Sequence, residues 1–414
     1  MKLSKILVFL LAVGICCGAS AEILDRSGGL KIGRRLTLRP YVSVSIGYDS
    51  NVRAQKGGDD DCLWTISPGL GITYNAETWS LLLTGYYNYQ QYFKSENSDY
   101  NHHSFGEDLR WNWANSTGAE KGWSLVLGQS FQQINAADDM MTSDGRGVNT
   151  DARHLQISGA LQRRFNEHWH GGVNASYYWL DYLNDTRYSG AMYGWDRWQV
   201  GGEAGFAPSR WTDIILSAGY QGYNQDNVEG SRYVDGSSQG WTVQGGIGSY
   251  MTERISYRLL AGWSRFNYGD GASSDNGFVY TASGNWKIGE TWNTMLLASS
   301  YYQPSERQYS SASRVDAISW GLAKVMVRGK LRCTLDLRYR HETNEYVGNS
   351  GGSNLDYDLD IVTGRLGGDY SLNRFLAVFL YGEYQRSWNS EGDARQDAYD
   401  YDRWRVVGGF RLSY

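Results

Sequence analysis

Apolar and polar residues alternate at a period of two along much of this chain. Trp79, Leu81, Leu83, Gly85, Tyr87 and Tyr89 fall on one face, while Ser80, Thr84, Asn88 and Gln90 share the other with Leu82 and Tyr86. Leu331, Cys333, Leu335, Leu337 and Tyr339 oppose Arg332, Thr334, Asp336, Arg338 and Arg340, and Ile255, Tyr257, Leu259, Ala261 and Trp263 oppose Ser256, Arg258, Gly262 and Ser264. In the last twelve residues Trp404, Val406, Gly408, Phe410, Leu412 and Tyr414 oppose Arg403, Arg405, Val407, Gly409, Arg411 and Ser413. Successive side chains of a strand point to opposite sides, so each segment predicts a strand with one apolar face. Two segments fit less well. Phe375 to Tyr384 is apolar on both faces, and the charges from Asp360 to Asp369 change parity, which predicts a bulge near Val362–Gly364.

Short turns recur about every 37–49 residues with similar flanks: Tyr74 to Trp79, Phe165 to Trp169, Phe206 to Trp211, Met251 to Ile255, Ile288 to Trp292, Val327 to Leu331 and Leu372 to Phe375, with a looser member at Asn115 to Gly122. Between them lie longer polar segments near 51–61, 94–102, 135–151, 184–194, 225–238, 269–276, 305–314, 346–356 and 391–401. Alternating short and long connections predict an all-β, transmembrane, up-and-down antiparallel β-barrel with short periplasmic turns and longer extracellular loops. The count is about 18 strands, or 16 if one hairpin is loop. The 51 Gly, 32 Tyr and 17 Trp with only 4 Pro, at a mean hydropathy of −0.52, suit this architecture. Rings girdle both interfaces of such a wall, and alternate residues face water inside it. An arginine facing lipid at midplane costs roughly 2–4 kcal/mol, so the charged face is the lumen.

Lys2 and Lys5, the apolar run Ile6 to Ile15 and the small residues Ala19-Ser20-Ala21 predict a signal peptide over 1–21. Ile15 and Cys16 are poor fits to a lipoprotein site at Cys16 or Cys17. A short leader is then expected over 22–35 and the barrel over 36–414, leaving little chain for a plug. Loss of Lys2 and Lys5 moves the formal charge from −5 to −7. Cys62 and Cys333 are expected at opposite rims, too far apart for a disulfide and therefore free.

The terminal Phe410, Leu412 and Tyr414 resemble the signal by which barrel-assembly machinery recognises outer-membrane proteins. The opening strand, Leu38 to Ile46 followed by Gly47-Tyr48-Asp49-Ser50-Asn51-Val52, resembles the first strand of the outer-membrane barrels classed as β-barrel porin type 2, which ends in a similar Tyr-Asp-Ser-Asn turn. This resemblance implies a porin-like barrel in the outer membrane of a Gram-negative-type bacterium. In some members it also implies an association with exopolysaccharide systems.

Candidate chemistry is sparse. His168 and His170 flank Trp169 but have no third metal ligand at suitable spacing, and His102, His103, His154 and His341 fall in loops or at strand ends. No nucleophile elbow, metal motif or phosphate loop points to an enzyme or a cofactor, and no basic run points to nucleic acid. Parity places Arg110, Arg197, Arg258, Lys287, Arg332, Arg338, Arg340, Arg365, Arg405 and Arg411 in the lumen with the acids Asp108, Glu203, Asp336 and Asp369. That balance predicts passage of small polar or anionic solutes. The loops carry the opposite sign at Asp59, Asp60, Asp61, Asp138, Asp139, Asp226, Glu229, Asp235, Asp270, Asp275, Glu391, Asp393, Asp397 and Asp400. Such oxygens can meet lipopolysaccharide phosphates through divalent cations. The expected function is a porin-like diffusion channel with weak anion selectivity. The alternatives are a non-conducting surface barrel for adhesion or envelope anchoring, and a polysaccharide export pore.

Overall fold

The computed structural model describes residues 29–52, 54, 57–114, 122–135, 152–182, 194–209, 211–225, 237–249, 254–268, 274–304, 310–346, 357–389 and 400–414. The expected signal peptide, most of the turns at Asn115 to Gly122 and Met251 to Ile255, and Asp138, Asp139, Asp226, Glu229, Asp235, Asp270, Glu391, Asp393 and Asp397 lie outside them.

The strands are β1 (Leu30–Ile32), β2 (Leu36–Asp49), β3 (Asp61–Asn75), β4 (Trp79–Tyr92), β5 (His102–Ala114), β6 (Gly122–Asn135) and β7 (Ala152–Arg164). They continue as β8 (Trp169–Tyr182), β9 (Trp195–Ser209), β10 (Thr212–Gln225), β11 (Ser238–Gly248), β12 (Ile255–Tyr268) and β13 (Ser274–Ile288). The last are β14 (Trp292–Pro304), β15 (Ser310–Met326), β16 (Leu331–Tyr346), β17 (Tyr357–Ser371), β18 (Leu376–Asn389) and β19 (Tyr401–Ser413). From β2 onward each strand pairs antiparallel with the next, and β19 pairs with β2, closing an eighteen-stranded barrel. The expected boundary at residue 36 coincides with the start of β2. The leader adds β1, which pairs with Leu36–Leu38 on β2 beyond the last β19 partner, Tyr41.

Partners followed once round the wall return to β2 displaced by about 22 residues, so the strands tilt near 40° and the backbone cylinder has a mean radius of about 17–18 Å. The wall bends sharply at two places eight strands apart. A Cβ on inward Gly262 would lie 1.9 Å from the Val243 carbonyl oxygen, and one on Gly246 would lie 1.9 Å from that of Leu259. Across the barrel, a Cβ on Gly409 would lie 2.2 Å from the Val44 oxygen. Only glycine permits backbone to approach so closely on the inside of a corner.

Directly paired residues share a face, so the register sorts every strand. The outer face is apolar, with Leu366 63%, Leu380 62% and Ile46 61% exposed. Its turn-end girdle includes Tyr74 stacked on Trp79 at 4.8 Å, with Lys324 over Trp292 and Arg163 over Trp123. These cations keep their stems on the apolar wall and their heads at its edge. The recurrent turns share a mechanism. Asn166 Oδ1 accepts from the backbone N–H groups of His168 and Trp169, and Asn373 Oδ1 accepts from those of Phe375 and Leu376.

Two expectations change. No bulge interrupts β17, whose register with β16 and β18 is continuous through Val362–Gly364. Asp360 faces outward because it sits near the loop end, beyond the apolar belt, where Tyr339 Oη and His341 Nδ1 meet its carboxylate at 2.7 and 2.9 Å. Asp61 and Asp275, expected in loops, belong to β3 and β13 and face inward. Cys62 and Cys333 are free, one at the loop end of β3 and the other at the turn end of β16.

Candidate functional site: the charged lumen wall and its seam

The inner faces of β16 to β19 and β2 carry a continuous line of charge. Asp336 pairs with Arg365, Arg365 with Glu383, Glu383 with Arg405, Arg405 with Asp49, and Asp49 with Asp61. Opposite charges directly across an antiparallel pair attract, so the alternation from Asp336 to Asp49 supports the register as well as wetting the wall, while Asp49 and Asp61 set two acids side by side at its upper end. Because the strands tilt, the line climbs about 3 Å per strand from the turn end toward the loop end. Arg338 and Arg403 lie one inward row nearer the loop end, and Arg332 and Arg411 lie toward the turn end.

The register sets all the sequence-derived lumen residues on the inner face, but not together. Arg332, Asp336, Arg338, Arg340, Arg365, Asp369, Arg405 and Arg411 share the β16–β19 wall. Arg365 lies 4.4 Å over the Tyr381 ring and Arg411 5.8 Å over Phe379. Arg340 pairs with Glu342, which is buried. The others are dispersed. Arg110 donates to Asn112, and Asp108 stands beside it on β5. Arg197 lies over Tyr178 and Trp195, and Lys287 is exposed near the turn end of β13. Arg258 on β12 reaches Glu203 on β9 across two intervening strands, a contact that the Gly246–Gly262 corner makes possible.

Sequence reading missed several inward charges. Arg39 and Arg164 face the lumen, as do Asp49, Asp61, Asp213, Asp275, Glu342 and Glu383, and Arg403, which alternation set beside Arg405, belongs with them. The excess of base is therefore narrower than ten against four. Parity carried to the strand ends would have found most of them. Glu383 was hidden because Phe379 and Tyr381, its neighbours on the inner face, are aromatic. Asp213 meets His170 Nε2 at 2.9 Å, so the His168/His170 pair splits: His170 binds a carboxylate and His168 Nδ1 meets the Ala207 carbonyl oxygen.

The Tyr48-Asp49-Ser50-Asn51 turn fastens the first strand to the last. Asp49 is fully buried and accepts from Arg403 Nε at 3.0 Å, Arg403 Nη2 at 2.5 Å and Arg405 Nη2 at 3.0 Å. Ser50 Oγ accepts from the Trp404 N–H at 2.7 Å, and Asn51 Nδ2 donates to the Asp402 carbonyl oxygen at 3.2 Å. Beyond it, Val52 packs on inward Leu63 and Tyr92, so this connection turns into the mouth. At the turn end Tyr414 donates its N–H to the Pro40 carbonyl oxygen and stacks on Phe375 at 5.6 Å. Leu412 and Phe410 follow on the lipid-facing side.

A closed eighteen-strand wall, apolar outside and charged within, is that of an outer-membrane β-barrel. The chain belongs to the family described as Putative beta-barrel porin 2, whose model matches residues 27–414. No curated protein matches it in sequence. Among solved structures it is similar to the siderophore receptor PirA from Pseudomonas aeruginosa at 8% identity and a TM-score of 0.46, over 93% of this chain and 81% of that one. The FrpB iron transporter from Neisseria meningitidis gives 10% and 0.47, over 95% and 83%. The copper transporter OprC gives 11% and 0.44, over 88% and 63%. Likeness at this level carries no argument about what passes the barrel.

Proposed function

We propose that this barrel is a porin-like channel through which small hydrophilic solutes diffuse, with a weak preference for anions. The observation that carries the reading is the inner wall of β16 to β19. There Arg332, Arg338, Arg340, Arg365, Arg403, Arg405 and Arg411 outnumber Asp336, Asp369, Glu342 and Glu383. A backbone radius of about 17–18 Å leaves room for water inside side chains of this size. At moderate salt the Debye length is about 8–10 Å, so charges on the wall act on a passing ion more strongly than acidic loops at the mouth. The preference is weak because Asp49 and Glu342 are committed to arginines of the same wall. The turns are read as periplasmic, with both chain ends on that side, and the loops as meeting lipopolysaccharide outside.

The test is the reversal potential across a salt gradient in a planar bilayer. Anion selectivity is expected, stronger in Asp336→Asn and weaker in Arg338→Ser with Arg340→Ser. Cation selectivity indifferent to the arginines would reject the reading. A second reading, a non-conducting surface barrel, draws on the burial of Val52, Ala54, Leu63 and Tyr92 at the loop-end mouth. Absence of any conductance would favour it.

A further inference from the structure

Along β5 the outward side chains run His103, Phe105, Glu107, Leu109, Trp111 and Trp113. Among the described residues, Glu107 is the one outward carboxylate with an apolar outward neighbour on both sides along its strand. The outward acids Asp181, Asp196, Asp316, Asp358, Asp360 and Asp402 sit toward the loop ends of their strands. Gln129 on β6 breaks the belt at the adjoining position, between Leu127 and Phe131, and its Nε2 donates to Glu107 Oε1 at 3.1 Å. The pair is exposed and ringed by Leu83, Phe105, Leu109, Leu127, Phe131 and Ile157. Gly85, the direct partner of Glu107, leaves open space where a side chain would stand.

A carboxylate facing hydrocarbon is costly, and such groups are found where another polar group meets them. One amide N–H satisfies only part of a carboxylate's hydrogen-bonding capacity. From this we infer that the β5–β6 outer face is the interface of a two-fold dimer, its occupant a second copy of this chain. The pair is self-complementary: an acceptor-only carboxylate stands beside an amide with a further N–H to give. A two-fold axis along the membrane normal would set Glu107 against Gln129 of the second copy and Gln129 against its Glu107, as an isologous contact requires. The level is right for such an axis. Leu109 pairs with Gln129 and successive strands climb, so Glu107 and Gln129 stand within about 2 Å of the same depth. The gap at Gly85 allows close approach of the two walls, as small residues do in membrane interfaces. The inference is independent of what the barrel conducts.

Both native thiols point outward, so the test starts from a Cys62→Ser, Cys333→Ser background. Leu109→Cys, on the proposed axis just below the pair, is expected to form a disulfide-linked dimer when outer-membrane fragments are oxidised. Val406→Cys, on the lipid face of β19, is expected to remain monomeric. Glu107→Leu with Gln129→Leu suits a lipid-facing wall and is expected to keep heat-modifiable gel mobility while losing the Leu109→Cys crosslink. Native mass spectrometry of the wild type in nanodiscs is expected to show two copies. Two copies for the Leu pair, a monomeric wild type, a folded Leu109→Cys that does not crosslink, or a three-membered ring would each overturn the inference.

Discussion

Replacing Asp49 with Ala removes the acceptor on which the barrel seam converges. The carboxylate is inaccessible, the Arg403 side chain is 6% exposed, and Arg405 is 16% exposed. Tyr92 Oη and the Asn51 N–H add further donors at 3.3 and 3.1 Å. Removing one partner from a buried ion pair leaves the other charge without compensation and costs about 3–5 kcal/mol. Here two guanidiniums lose the Asp49 carboxylate together, on the strand pair that closes the cylinder, so the upper part of that range is expected. Asp49→Asn keeps the volume and some hydrogen bonding and should cost less. The exposed Lys94–Asp60 pair is the control, since solvent and salt screen such surface pairs and leave them little effect on stability. Urea unfolding of the refolded barrel in detergent, followed by tryptophan fluorescence, measures all three. A loss in Asp49→Ala below about 1 kcal/mol, or equal to that in Asp60→Asn, would refute the argument. Arg403→Leu in the Asp49→Ala background should recover part of the loss, because it removes a buried guanidinium that no longer has the Asp49 carboxylate beside it.

Three further outcomes are expected. Gly262→Val would put a Cβ 1.9 Å from the Val243 carbonyl oxygen, so heat-modifiable barrel should be largely lost, whereas Gly284→Val, in open space, should fold. Truncation of Tyr414 removes the Phe375 stack and the proposed assembly signal, and the folded fraction in outer membranes should fall while refolding in detergent continues; equal folded fractions would reject the signal. Asp60 should titrate below the ordinary carboxylate range because Lys94 Nζ and Tyr48 Oη donate to it, so this contact is present at neutral pH and is lost only as pH falls through that lowered value. Carbon-detected NMR should show the Asp60 carboxyl moving back toward the ordinary value in Lys94→Met.

Which face each residue occupies was legible because parity is a local property. Trp79 to Tyr89 and Leu331 to Arg340 needed only the period of two, and the turns declared themselves through repeated Asn and aromatic flanks. Partnership was not legible. Asp49 and Arg403 are 354 residues apart, and the register joining first strand to last is set by closure of the whole wall. The expected bulge in β17 failed for a related reason. Parity alone took Asp360 and Asp369 to need one environment, but beyond the apolar belt the outer face is wet and tolerates a carboxylate. The polar pair on β5 and β6 escaped notice because Glu107 and Gln129 read as ordinary members of polar runs until the register set both toward lipid.

The oblique course of Asp336, Arg365, Glu383, Arg405 and Asp49 makes the charge a staircase rather than a ring. Four steps of about 3 Å spread these groups over roughly 12 Å of depth and about an eighth of the circumference. A solute following them must turn about the barrel axis as it advances, meeting one sign and then the other. Nowhere does it face all of them at one depth. Discrimination built in this way is graded: each tread contributes a small bias, and selectivity shifts by increments as treads are removed rather than collapsing with any single one.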